Sequence, residues 1–236
     1  MAKTSRFLDR RVCPMQSECP SLFDVFGNRI VMTGAAGLLG SQWREHLINV
    51  GALCYNIDQE TPGHPIDVTD EQQMRQELAI VRNMAAPALG GGMYGEPIPL
   101  DALICAAAID AKPETPGSGP FDTMPLADWR HIVDVNLTGV MLACQVFGGE
   151  MARTGGGSII LISSMYGLVG PDQRHYDGGF IKPAAYSATK AALLGLTKWM
   201  AAYWGPRGVR VNAAAFGAMG QEGDPAAFRE RVTAAS

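Results

Sequence analysis

Histidine and cysteine are scarce: four and five residues among 236. No cysteines stand in Cys-x-x-Cys or Cys/His spacing, so no metal site is expected. The cysteines, Cys13, Cys19, Cys54, Cys105 and Cys144, are odd in number, and three lie in or beside apolar runs. They read as buried free thiols of a reducing compartment. Charge is also sparse, at 18% of residues with a net charge of −4. No Lys/Arg run is long enough for a basic footprint, which argues against nucleic acid or an anionic membrane surface as partner. No uncharged apolar run reaches the roughly 20 residues of a membrane span. Met1 to Pro20 has basic residues but lacks the apolar segment of a secretory signal. The expectation is a cytoplasmic protein. There are no internal repeats, and 47% apolar residues suffice for a full core.

Short apolar runs alternate with helical patterns. Residues 1–27 have no strong period and read as a loosely structured extension; residues 28–236 read as one domain. Strands are predicted at 28–33, 52–57, 101–108, 158–164 and 208–216, the last taken as the sixth strand of the sheet. Helices are predicted from Gly40 to Gly51, from Glu71 with Asp70 as N-cap, over 125–152, from Ala185 onward, and from Asp224 to Val232. Prolines and glycines make 84–99 an exposed loop. This alternation implies an α/β fold, a three-layer doubly wound parallel sheet of the Rossmann type, with strand order 3-2-1-4-5-6.

The first strand runs into Gly34-Ala35-Ala36-Gly37-Leu38-Leu39-Gly40. Strand, glycine-rich turn and helix form a phosphate cradle: Gly34 allows a tight turn, Gly37 a close approach to a pyrophosphate, and Gly40 close helix packing. A plain glycine turn is the alternative. Asp58 ends the second strand, where a carboxylate accepts bonds from an adenosine ribose and repels a 2′-phosphate. NAD is therefore favoured over NADP, although a strand-end Asp also caps turns. Asp67 and Val68 lie where an adenine could rest. The small residues of the strand at 101–108, Ala106 and Ala107 among them, allow a cofactor to lie against the backbone. Asn136 stands within the apolar stripe of a helix, where a buried amide needs a partner.

Ser163-Ser164 ends the strand at 158–164, and Tyr186 and Lys190 stand one helical turn apart. A phenol beside an ammonium is expected to have its pKa drawn below about 10, which suits proton transfer to or from a hydroxyl or carbonyl. Taken alone, Tyr-x-x-x-Lys is also a frequent surface spacing.

Together these pieces resemble the short-chain dehydrogenase/reductase family over about Leu22 to Gly217. The resemblance rests on Thr33-Gly34-Ala35-Ala36-Gly37-Leu38-Leu39-Gly40, Asp58, Asp67-Val68, Asn136-Leu137-Thr138-Gly139, Ile162-Ser163-Ser164 and Tyr186-Ser187-Ala188-Thr189-Lys190. It implies that Tyr186 is the general acid/base and that Lys190 lowers its pKa and holds the nicotinamide ribose. It implies that Ser164, three residues before Gly167, steadies the substrate oxygen, and that Asn136 holds a water in a proton relay. The cofactor set becomes Gly34, Ala36, Gly37, Leu38, Leu39, Gly40, Asp58, Asp67, Val68, Ala106, Ala107, Tyr186, Lys190, Gly217 and Met219. The expected activity is an NAD(P)-dependent interconversion of a secondary alcohol and a ketone. The alternatives are a nucleotide-binding protein without catalysis, or a sugar-nucleotide epimerase or dehydratase. The long interval between Ser164 and Tyr186, with Arg174 and His175, resembles oxidoreductases of surface-glycan and flagellin-modification pathways, which act on sugars or activated sugars. Family members commonly pair through the helices carrying Asn136 and Tyr186, so a homo-oligomer is expected. Three departures stand out. Cys105-Ala106-Ala107-Ala108 replaces the family's Asn-Asn-Ala-Gly, Phe216-Gly217 replaces Pro-Gly, and the family's seventh strand has no counterpart.

Overall fold

The computed structural model describes residues 24–83, 99–110, 117–176 and 180–217. Five parallel strands form one sheet: β1 Arg29–Thr33, β2 Leu53–Ile57, β3 Ala102–Cys105, β4 Gly157–Ser164 and β5 Val209–Phe216, in the order β2-β1-β3-β4-β5. Around them lie α1 Leu38–Asn49, α2 Glu71–Asn83, α3 Leu126–Thr154 and α4 Ala184–Trp204. The doubly wound parallel sheet agrees with the alternation in the sequence. The strand count differs, since the described residues hold five strands rather than six, with no strand outside β2. Between β2 and α2 the chain carries Pro62, Gly63 at φ +76° and Pro65. Proline offers no N–H to a ladder, so this segment stays a turn.

The apolar strands build two buried faces because successive side chains alternate. Val31, Leu103, Ile159, Leu161, Val209 and Val211 share one core with α2, α3 and α4, including the fully buried Phe147, Met151 and Leu193. Ile30 and Met32 point the other way and are equally buried. Glu150 of α3 bonds Arg82 of α2 and Arg153, and these bonds, Arg82's first, hold its carboxyl down at about 2. Asp70 caps α2 through Gln73 N–H at 2.9 Å.

Among the described residues, Leu126–Thr154 is the one helix long and apolar enough to cross a membrane. More than half of its apolar window is buried, with Val140, Ala143, Cys144 and Phe147 packed into the core. Its backbone has two π turns, at Asp134–Gly139 and Cys144–Gly148. Cys54, Cys105 and Cys144 are free, the last two buried with sulfurs 3.9 Å apart.

The chain order reverses between β1 and β3. Their carboxyl ends, Thr33 and Cys105, are registered partners. An open α/β sheet binds ligands at that reversal, and of the predicted cofactor residues Gly34, Ala36, Gly37, Gly40, Asp58, Ala106 and Ala107 lie together there. Residues 1–23 of the predicted extension 1–27, residues 84–98 of the predicted loop 84–99, Met219 and the helix from Asp224 lie outside the described residues.

Candidate active site

The glycine-rich turn follows β1 because only glycine fits its geometry. Gly34 has φ +71°, and a Cβ there would stand 2.4 Å from Ala107 N. A Cβ on Gly40 would stand 2.0 Å from the Gly34 carbonyl oxygen. The turn is thereby pressed against Ala106 and Ala107 on one side and against α1 on the other. No side chain caps α1, whose N-terminus begins at exposed Gly37 and Leu38, with Leu39 half-buried. Free N–H groups and the positive end of a helix dipole meet at that point. Asp58 reaches across from the tip of β2, accepting Ala36 N–H and Glu60 N–H, each at 2.9 Å. The carboxylate therefore faces the turn and also caps its own strand end. These features fit a dinucleotide: a cradle without room for a Cβ, an uncapped helix start, and an acid beside both.

Asp67 and Val68 are committed locally. The Asp67 carboxylate accepts Thr69 N–H at 2.8 Å and the Thr69 hydroxyl at 2.7 Å. Val68 is buried, and a Cβ on Gly139 of α3 would stand 2.7 Å from its Cγ2. Beyond β3, Ala106 N–H donates to the Thr33 carbonyl at 3.1 Å and Ala107 N–H to the Thr33 hydroxyl at 3.4 Å. Gly217 is exposed beyond β5, where Phe216 packs on Trp43 of α1 at a centroid distance of 5.6 Å.

Ser164, Tyr186 and Lys190 meet at the carboxyl edge of the sheet. The Ser164 hydroxyl accepts Tyr166 N–H at 3.2 Å and acts on the Tyr186 phenol in the direction that favours phenolate. Ser163 points elsewhere, donating to the Lys190 carbonyl at 2.8 Å. The turn after β4 comes this close to α4 because of Gly167, whose Cβ would stand 2.7 Å from the Lys190 carbonyl carbon. Lys190 is 4% exposed. Its Nζ donates to the Ile162 carbonyl at 2.7 Å and lies 5.6 Å from the centre of the Tyr186 ring.

The electrostatics correct the expectation for Tyr186. Burial pushes the phenol up to about 12; Asp110 adds to the rise, and the Ser164 hydroxyl works against it. Burial draws Lys190 down to about 8. A helical turn's spacing suggested a lowered phenol, but desolvation acts on both groups and is the largest cause of each shift.

Asn136 lies in the first π turn of α3 and is fully buried. Its side chain accepts Ile109 N–H at 2.7 Å and donates to the Ile109 carbonyl at 3.0 Å. Both side-chain polar atoms thus pin the exit of β3. Arg174 bonds Asp172, two residues away, on the loop surface, and this holds the Asp172 carboxyl well below its usual range. Two residues of the site had no role in the sequence analysis. Lys182 is 8% exposed, pairs with Asp110 and places its Nζ 4.5 Å from the Tyr186 ring centre. A carboxylate just past a parallel strand and a lysine ahead of a buried proline were the available signals.

A family model described as short chain dehydrogenase matches residues 28–228. The D-threitol dehydrogenase of Mycolicibacterium smegmatis is 39% identical over 93 residues, covering 39% of this chain and 32% of that protein. The 3-alpha-(or 20-beta)-hydroxysteroid dehydrogenase of Mycobacterium tuberculosis is 43% identical over 95 residues, covering 40% and 33%. The chain thus spans about a third of the length of these curated relatives. A crystal structure of a short chain dehydrogenase from Leptospira borgpetersenii with bound NAD+ superposes with a TM-score of 0.72 at 26% identity, over 88% of this chain and 77% of that one. Since the family match runs from β1 through β5 and a solved short chain dehydrogenase has the same fold, the chain belongs to the short-chain dehydrogenase family.

Proposed function

We propose that the chain is an NAD(H)-dependent oxidoreductase interconverting a secondary alcohol and a ketone, with a sugar or activated sugar as the substrate class. The observation that carries the reading is buried Lys190 with its Nζ 5.6 Å from the Tyr186 ring centre, beside buried Ser164, at the edge that also holds the glycine-rich turn. Gly34, Gly37, Gly40 and the first turn of α1 would hold the pyrophosphate, Asp58 an adenosine ribose, and Lys190 the nicotinamide ribose. The nicotinamide, when bound, supplies the hydride acceptor or donor. Tyr186 gives its phenol proton to the substrate oxygen or takes one from it, and Ser164 orients that oxygen. Asn136 acts by holding the β3 exit through Ile109.

NAD rather than NADP is supported by the acid at Asp58, which would repel a 2′-phosphate. The sugar class is supported by the resemblance over the Ser164–Tyr186 interval and by the name of the threitol dehydrogenase relative. NADH fluorescence titration, followed by hydride-transfer assays over sugars and sugar nucleotides, tests the reading. Tyr186→Phe should retain NADH binding and lose turnover by at least about a hundredfold. Full turnover by that variant would remove Tyr186 as the acid. Tight NADH binding with no transfer to any substrate would favour a nucleotide-binding protein without catalysis.

A second copy of the chain is the proposed partner, docking through α3 and α4. Support comes from Met141, Trp199 and Tyr203, which are exposed, the latter two rings stacked at 4.8 Å. Light scattering on Trp199→Glu tests this; an unchanged mass would move the contact elsewhere.

A further inference from the structure

An ion pair beside Tyr186 joins a buried lysine, Lys182, to an exposed carboxylate, Asp110. Lys182 is 8% exposed, and its ammonium pairs with Asp110 while lying 4.5 Å from the centre of the Tyr186 ring. An ordinary surface ion pair is loosely held and contributes little. Here the backbone at Lys182, and the backbone one residue before the exposed Asp110, are each held by an amide side chain from a different element. Gln173 accepts Lys182 N–H at 2.9 Å and donates to the Lys182 carbonyl at 3.3 Å. Asn136 grips both backbone groups of Ile109, the residue before Asp110. Two amide clamps, on the loop after β4 and on α3, thus bring opposite charges together at the proton-handling phenol.

We propose that Lys182 and Asp110 are positioning residues for Tyr186, an ion pair that holds the ring in place and sets the charge environment in which Tyr186 gives or takes its proton. This rests on the proposed oxidoreductase reading and names a regulating pair for that same site. The groups facing the phenol are Asp110 at the exit of β3, Ser164 at the end of β4 and Tyr166 on the turn after it. Tyr176 bonds the Tyr166 hydroxyl at 2.9 Å, Lys182 lies on the segment before α4, and Lys190 lies on α4 itself. Asp110 favours the protonated form of both Tyr186 and Lys190, whereas Lys182 disfavours the charged form of Lys190. The two charges oppose one another, so removing either should move the phenol in a direction set by the one that remains. Lys182 alone, over the ring face, favours phenolate. Asp110 alone favours phenol.

The test reads the phenol directly and needs no substrate. In protein carrying 13Cζ-tyrosine, Tyr186 is identified by the signal missing from Tyr186→Phe, and each variant is titrated by NMR. Asp110→Asn should lower the Tyr186 midpoint by about one pH unit, at the low end of what a single nearby charge does. Lys182→Met should raise it, read as less phenolate than wild type at the highest pH at which both stay folded. Lys182→Arg, which keeps the charge, should stay at the wild-type value. Unmoved midpoints in both Asp110→Asn and Lys182→Met would overturn the proposal, as would a Lys182→Arg shift matching Lys182→Met. Amide spectra confirm that each variant is folded. Because the midpoint is measured without turnover, a failure here is distinct from a failure to find hydride transfer. Once a substrate is known, the pH profile of kcat/KM should move with the same signs.

Discussion

Asn136→Asp exchanges one side-chain NH2 for an oxygen and leaves shape almost unchanged. The wild-type amide accepts Ile109 N–H at 2.7 Å and donates to the Ile109 carbonyl at 3.0 Å, with no exposure to water. A protonated acid reproduces both bonds. An ionised one sets a carboxylate oxygen against the Ile109 carbonyl in a site that cannot solvate charge. The folded pKa should therefore rise from about 3.9 to about 7, a shift within the range measured for buried carboxyls. A raised folded pKa means that stability is complete below about pH 4 and is lost as pH climbs through the folded value. At about 1.4 kcal/mol for each pH unit, the variant gives up roughly 1.5 kcal/mol by pH 5 and about 4 kcal/mol by pH 8. For a chain of this size that is a Tm deficit of about 10 °C at pH 8, and only a few degrees at pH 5. Circular-dichroism melts of wild type and variant at both pH values measure it. A Tm gap equal at pH 5 and pH 8 would show that the Asn136 clamp is not the buried contact described.

Gly40→Ala puts a Cβ 2.0 Å from a backbone oxygen, whereas Gly37→Ala puts one 3.3 Å from the same atom. Thermal melts should show Gly40→Ala losing more than about 3 kcal/mol along with NADH binding, and Gly37→Ala staying folded; equal stability of the two would contradict the packing of α1 on the turn. Lys190→Met removes a cation that burial draws from 10.5 to about 8. The depressed value penalises the folded state fully below about pH 8 and not above 10.5, so the variant should be more stable at pH 7 by about 2 kcal/mol, after allowing for the lost bond to Ile162. That advantage should shrink as pH rises from 8 to 10.5, while turnover is lost at every pH; urea melts showing a constant advantage would refute the account.

What could be read from the residues alone was whatever follows from local chemistry. The parallel alternation came from apolar runs of strand length between helical periods. The glycine-rich turn was legible because Gly34, Gly37 and Gly40 sit between a strand and a helix. The Tyr186–Lys190 pairing follows from helical pitch, and Asp70 as a cap from its place before Glu71. A sixth strand was expected because a pattern of elements says little about a short segment; Pro62 and Pro65 remove the ladder donors there.

Tertiary structure decided everything that depends on what lies across a gap. Burial raises Tyr186 and lowers Lys190, and spacing along a helix carries no information about water. Asn136 finds its partner 27 residues away, at the exit of another strand. Asp110 and Lys182, 72 residues apart, become neighbours only when β3 and the segment before α4 converge on one edge of the sheet. Helical pitch and strand alternation act within a few residues and can be read along the chain, whereas desolvation and long-range charge exist only once the chain has folded.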